Sequence, residues 1–272
     1  MKITVLGSGT SHGIPVVGCS CPVCNSSDTR DKRMRASVYV EGERGEKALI
    51  DAGPEFRLQA LRAGISVLDG LFLTHAHADH IHGLDDLRPL SGEKPISVYG
   101  NKETIAEMKE RFSYVFGSKQ TQHGGGKPKL KPVVVEGPVQ LGSLVFTPIP
   151  VKHGVLDILG WEVQGGESWG CFLYLTDISA IPPASLMQLK NSGPFQTIII
   201  GGLRKRPHET HFTFEEALNT ALGLEAERIY LTHICHEHSH AEIEGICRSF
   251  LENPRPKIIN IHPAWDGLEL RV

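Results

Sequence analysis

Apolar and polar positions along the chain fall into short β-like runs separated by segments of helical spacing. Runs rich in β-branched residues and bounded by Gly, Pro or Asp occur at 2–6 (KITVL), 47–51 (KALID), 70–75 (GLFLTH), 96–100 (ISVYG), 133–137 (VVVEG) and 144–151 (LVFTPIPV). The second half continues with 171–177 (CFLYLTD), 197–202 (TIIIGG), 228–233 (RIYLTH) and 257–262 (KIINIH). This composition predicts strands. Helical spacing predicts helices over 54–64, 102–112, 183–193 and 213–223. The first opens on Pro54 and closes on Gly64, the expected asymmetry of a helix. Thr213 with Glu216 has the spacing of a capping box. Strands and helices alternate, yet the early strands read as a hairpin-rich sheet. The prediction is therefore mixed sheets flanked by helices, not one doubly wound sheet. The stretch 117–132 (GSKQTQHGGGKPKLKP) reads as a mobile loop and as the place where a boundary between halves would fall.

Composition narrows the class. The 272 residues are 40% apolar and 22% charged, enough for a substantial core without cross-links. A net charge of −3 gives no global field that recruits nucleic acid or anionic membrane. The first ten residues, MKITVLGSGT, are too soon interrupted for a signal peptide, and no stretch reaches eighteen apolar residues. A cytoplasmic protein with no membrane partner is expected. Six cysteines in such a chain then point to thiols and metal in place of disulfides. Histidine is the compositional outlier, with fourteen gathered into a few clusters.

The segment 71–83, LFLTHAHADHIHG, carries the most specific signal. If the strand runs through it, alternation places His75 and His77 on one face, able to grip one ion. Asp79 and His80 follow at the turn and could reach a second. Imidazole with carboxylate suits zinc, manganese or iron. Four histidines and one aspartate within eight residues are too dense for ordinary polar loop residues.

His75, His77, Asp79 and His80 form the His-x-His-x-Asp-His motif, and on these residues the chain resembles the metallo-β-lactamase superfamily. The resemblance spans essentially the whole chain and implies one domain over 1–272, an αββα sandwich of two mixed sheets with helices on both outer faces (α/β, in the α+β sense). Asp51 in LIDAG resembles the aspartate that supports the metal site from behind. His153 in PVKHG, Asp177 in YLTDIS and His233 in YLTHIC resemble the remaining metal residues. By resemblance, His75, His77 and His153 would hold one divalent ion and Asp79, His80 and His233 a second, with Asp177 bridging. Mn2+ or Zn2+ are the expected ions, with Fe or Ni as further options. Two such ions would acidify a shared water enough for hydroxide to attack near neutral pH, so the implied reaction is hydrolysis.

Two further motifs select among hydrolases. His211 in RPHETHFTFEEAL resembles the histidine, not itself a ligand, with which phosphodiesterases of this superfamily assist the phosphoryl oxygens or the leaving alkoxide. His208 is a rival, with an ordinary surface histidine as its alternative. Cys19, Cys21 and Cys24 form C-x-C-x2-C, and three thiolates need a fourth ligand for tetrahedral zinc. His236 in LTHICHEHSH is the natural candidate, with His238 and His240 as competitors and Cys235 expected to point elsewhere.

This pairing resembles the phosphoribosyl cyclic phosphate phosphodiesterase (PhnP-like) branch, in which these residues bind structural zinc. The PqqB branch has a similar cysteine loop, but its active-site histidines are typically degraded. The implied function is a metal-dependent phosphodiesterase acting on a small or cyclic phosphodiester. Alternatives are a tRNase Z-like RNA-processing nuclease or a non-catalytic PqqB-like metal-binding protein of cofactor biosynthesis. Nucleic acid is not favoured as a partner, and a homodimer is left open. GSGTSHGIP invites reading as a phosphate cradle, although no P-loop or Rossmann pattern follows it; His12 would then line the mouth of the site. The loop at 117–132 reads as solvated, as a lid or as a polyanion-binding loop.

Overall fold

The computed structural model describes residues 1–117, 126–166, 170–251 and 260–272. Among these, fourteen strands form two sheets of seven. The first sheet holds β1 (Lys2–Gly7), β2 (Ser37–Glu41), β3 (Lys47–Ile50), β4 (Gly70–Phe72), β5 (Ile96–Gly100), β6 (Leu130–Val134) and β14 (Glu269–Arg271). The second holds β7 (Val139–Leu141), β8 (Leu144–His153), β9 (Leu156–Gln164), β10 (Cys171–Leu175), β11 (Thr197–Gly201), β12 (Arg228–Thr232) and β13 (Asn260–Pro263). Their orders are β14-β1-β2-β3-β4-β5-β6 and β13-β12-β11-β10-β9-β8-β7. In each sheet antiparallel hairpins give way to parallel strands, at β3–β4 in the first and β10–β11 in the second. The mixed sheets expected from sequence are thus present.

Alternation explains the layering. In β1 to β4, Ile3, Val5, Val38, Val40, Ala48, Ile50 and Phe72 face the second sheet, where Phe146, Trp161, Phe172 and Tyr174 meet them. The intervening Leu6, Tyr39, Leu49 and Leu71 face outward onto helices, because successive strand residues point to opposite faces. Helices α1 (Phe56–Ala63), α2 (Ala78–Ile81), α3 (Lys102–Arg111) and α4 (Ser113–Phe116) belong to this first outer layer. Helices α5 (Pro183–Ser192), α6 (Phe214–Gly223) and α7 (His240–Leu251) cover the second sheet. The result is the αββα sandwich. Among the described residues, no helix is long and apolar enough to cross a membrane.

Several elements differ from their sequence prediction. The strand expected over 70–75 ends at Phe72, because the Thr74 backbone N–H donates to the Asp51 side chain at 2.8 Å in place of a ladder partner. The strand expected over 133–137 is β6, which starts three residues earlier and contains Pro132. Proline is tolerated there because β6 is an edge strand. The loop expected over 117–132 therefore ends in a strand from Leu130, and its residues 118–125 lie outside the described residues, as do 257–259 of the last predicted strand. Strands β2, β7, β9 and β14 and helices α2, α4 and α7 were not marked by the sequence pattern. Helix α1 closes on Gly64 with φ of 66°, and the Thr213–Glu216 capping box is formed at α6.

The glycine-rich loop after β1 packs against protein. A Cβ on Gly7 would lie 1.9 Å from the Arg35 carbonyl oxygen, and one on Gly9 would lie 2.9 Å from that of Arg33. Gly9 bridges Arg35 on one side and Ile234 on the other. These glycines serve close backbone approach. Gly7→Ala is expected to lower stability by about 1–3 kcal/mol, measurable as the denaturant midpoint at constant slope.

Candidate metal centres

The C-terminal ends of β3, β4, β8, β10 and β12 lead into the site. Asp51 and His233 immediately follow β3 and β12, Asp177 is the second residue after β10, and all three have positive φ, at 61°, 56° and 55°. A non-glycine residue in this region costs about 1–2 kcal/mol. Among the described residues, the one other non-glycine case is Glu225. Strain thus concentrates where the chain must leave a strand and turn a functional side chain inward.

Two groups of ligand-type atoms meet there. His75, His77 and His153 offer three nitrogens, and Asp79, His80, Asp177 and His233 offer two carboxylates and two nitrogens; within each group the atoms lie within 4.8 Å of one another. Asp177 also groups with His153 and His211, so its carboxylate lies between the two sets. Asp177 Oδ2 is 3.3 Å from His80 Nε2 and 3.1 Å from His233 Nδ1, and Thr176 Oγ1 donates to it at 2.6 Å. His75 and His77 do not reach one another by strand alternation. They come from the turn after β4, with His77 as the N-cap of α2.

The partners of each ring decide which nitrogen faces the site. His80 Nδ1 donates to Asp51 Oδ2 at 2.7 Å, leaving Nε2 to face Asp79 and Asp177 oxygens at 3.2 and 3.3 Å. That Nε2 is buried without a hydrogen-bond partner. A lone pair aimed at two carboxylates is stable only with a cation or a proton between them. Burial lowers the proton affinity of His80, but Asp79, Asp177 and Asp51 together raise its pKa well above the ordinary value. His153 Nδ1 donates to the Thr210 carbonyl at 2.7 Å, and His233 Nε2 lies 3.1 Å from Thr10 Oγ1. His75 Nε2 and His77 Nδ1 face one another at 2.9 Å, about the separation of two nitrogens each ~2.0–2.1 Å from one ion at a right angle. The donor set therefore fits two divalent ions. Asp51 lies outside both groups and holds their ligands from behind.

His211 sits above Asp177, its Nδ1 3.9 Å from Oδ1, with its ring against those of His153 and His233. Burial, with His233 beside it, pushes its pKa down to about 3. His208 is exposed and accepts from the Thr210 N–H at 3.3 Å. His12 is exposed and in neither group.

The second centre joins the first loop to the segment after β12. Cys19, Cys21 and Cys24 place their sulfurs 3.4, 3.4 and 3.5 Å from His236 Nδ1. Tetrahedral zinc with bonds of ~2.3 Å to sulfur and ~2.0 Å to nitrogen separates the two by about 3.5 Å. The Cys24 backbone N–H, acting against burial, draws the Cys21 thiol down to about 6, while burial pushes Cys24 up to about 11. The competitors for the fourth position lie elsewhere. His238 packs near Phe214, His240 is buried against Arg33, and Cys235 is buried. Sequence reasoning did not single out Thr10, Thr74 or Thr176. The triplets Leu-Thr-His at 73–75, Leu-Thr-Asp at 175–177 and Leu-Thr-His at 231–233 were the available signal for two of them.

A family model described as a β-lactamase superfamily domain matches residues 46–234. A crystal structure of a new diphosphatase from the PhnP family is 38% identical, covers 100% of this chain and 96% of that one, and superposes with a TM-score of 0.84. The chain belongs to the PhnP family of the β-lactamase superfamily. Within its wider fold, this PhnP-family chain also resembles Zn2+-bound PqqB from Methylobacterium extorquens, with TM-score 0.80, 17% identity and 100% coverage of both chains. An octanoyltransferase of Porphyromonas gingivalis is 37% identical over 270 residues, 99% of this chain and 51% of that protein. The chain thus spans about half the length of that relative.

Proposed function

We propose that this PhnP-family chain is a metal-dependent hydrolase of small phosphate esters, with a cyclic phosphodiester such as a ribosyl cyclic phosphate as the type substrate. The observation that carries the reading is the Asp177 carboxylate, which belongs to one ligand group and also lies within reach of His153 of the other, with His211 against it. The similarity to a PhnP-family diphosphatase supports it. His75, His77 and His153 would hold one ion, Mn2+ or Zn2+, and Asp79, His80 and His233 another, with Asp177 reaching both. Such ions supply an acidified water and neutralise phosphoryl charge.

The chain's own residues do the rest. Asp51 and Thr10 orient His80 and His233, and the His211 imidazole, held neutral by burial, presents an N–H to a phosphoryl or leaving oxygen. A group with a pKa of about 3 serves better as hydrogen-bond donor than as proton donor near neutral pH. His211→Ala is expected to lower kcat by about 10²-fold with metal content unchanged, whereas His208→Ala stays within about twofold.

The intact His-x-His-x-Asp-His run favours catalysis over a metal-binding role of the PqqB kind, and the net charge of −3 disfavours an RNA substrate. Octanoyl transfer through a thiol finds little support: Cys19, Cys21 and Cys24 surround His236, while burial raises the pKa values of Cys171, Cys235 and Cys247. Hydrolysis of bis-p-nitrophenyl phosphate with added Mn2+ tests the reading. Absence of metal-dependent turnover with both ions bound overturns it.

A further inference from the structure

Thr74 is fully buried between the two ligand groups. Its hydroxyl donates to Asp51 Oδ2 at 2.7 Å and lies 3.0 Å from His75 Nδ1. A hydroxyl has one hydrogen, and an ionised carboxylate has none. With that hydrogen given to Asp51, the contact to His75 requires Nδ1–H to donate to Thr74 Oγ1. The bare nitrogen of His75 is then Nε2, the one that faces His77. Asp51 accepts two further bonds, from the Thr74 backbone N–H at 2.8 Å and from His80 Nδ1 at 2.7 Å.

We infer that Thr74 is a positioning residue that couples the two metal half-sites through one carboxylate. Asp51 fixes the tautomer of His80 directly and that of His75 through the Thr74 hydroxyl, so both rings turn Nε2 inward. The coupling rests on the metal-dependent reading above. Threonine suits the task because its branched Cβ restricts χ1, which keeps the hydroxyl between its two partners. The backbone amide of the same residue holds the other carboxylate oxygen, so Asp51 cannot rotate away without breaking both contacts.

The test uses Thr74→Val, which keeps the shape and removes the relay, and Thr74→Ser, which keeps the relay. Thr74→Ala serves as a second hydroxyl-free variant should the valine fail to fold. Zn2+ is titrated into metal-depleted protein against a chromophoric chelator, and histidine tautomers are read by 15N NMR. Valine is expected to weaken the ion on the His75 side by about tenfold or more, the usual effect of removing a partner behind a ligand. The His80-side ion should lose less, since His80 keeps its own bond to Asp51, and the His75 Nδ1–H resonance should vanish. Serine should restore both affinities to within about twofold. Lower melting temperature in the valine protein, with an unchanged affinity ratio and an unchanged tautomer, overturns the coupling. If wild-type protein takes up no Zn2+ beyond one ion, the functional reading falls, while the NMR comparison still decides the relay.

Discussion

Asp177→Asn is expected to abolish turnover of bis-p-nitrophenyl phosphate, by at least about 10³-fold, in a protein that remains folded. Loss of ~4 kcal/mol of charge stabilisation in the transition state corresponds to three factors of ten. Asparagine is the informative substitution because Asp177 has φ of 55°, a conformation that Asn tolerates and Ala does not. The variant keeps volume and backbone while removing the charge between His80 Nε2 and His233 Nδ1. Thr176 Oγ1, now donating at 2.6 Å, can still meet the amide oxygen. The melting temperature should fall, since the substitution removes the attraction of His233 and His80 for the carboxylate along with its repulsion from Asp79. Metal content should fall, because the side chain that belongs to one group and reaches His153 of the other has lost its negative oxygen. An Asn variant retaining more than about a tenth of wild-type kcat would exclude a bridging role.

Cys21→Ala is expected to remove about one zinc per chain, with a marked loss of stability and a smaller loss of activity. Its sulfur is one of three around His236 Nδ1, and an incomplete thiolate set binds zinc far less tightly. A loss of ~4 kcal/mol, at ~2–4 °C per kcal/mol for a chain of this size, lowers the melting temperature by about 10 °C. Activity is expected to fall because that loop also touches the segment that carries His233. Thr10 N–H donates to the Ile234 carbonyl at 3.1 Å, Ile234 N–H to that of Ser8 at 3.0 Å, and Thr10 Oγ1 contacts His233. Elemental analysis and thermal melting check the prediction; unchanged zinc content would refute the assignment.

The legible part of this molecule was the part whose geometry is local. His75, His77, Asp79 and His80 lie within six residues, so their density alone marked them as candidate metal ligands. His153, Asp177 and His233 each stand by themselves in sequence, and only the family resemblance linked them. The β-branched runs and their bounding turn residues located most strands, but that pattern overran β4, because the ladder there yields to the Asp51 side chain, a partner that no local pattern reveals. It also missed the nine-residue strand β9, which carries only two β-branched residues, Ile158 and Val163, with Gly160 between them. The threonines were illegible for a related reason: a hydroxyl becomes functional only through the residue across from it, and for Thr74 that residue is Asp51.

The clamp between the first loop and His236 also bears on synthesis. Cys19 and His236 are 217 positions apart, and Thr10 and His233 are 223. At ~5–20 residues per second, the thiols are made roughly 10–40 s before the imidazole that completes their set. Throughout that interval the nascent chain carries three sulfurs without their nitrogen, and the catalytic centre likewise waits for His233. Neither candidate ligand set is therefore complete until nearly all of the chain has been translated.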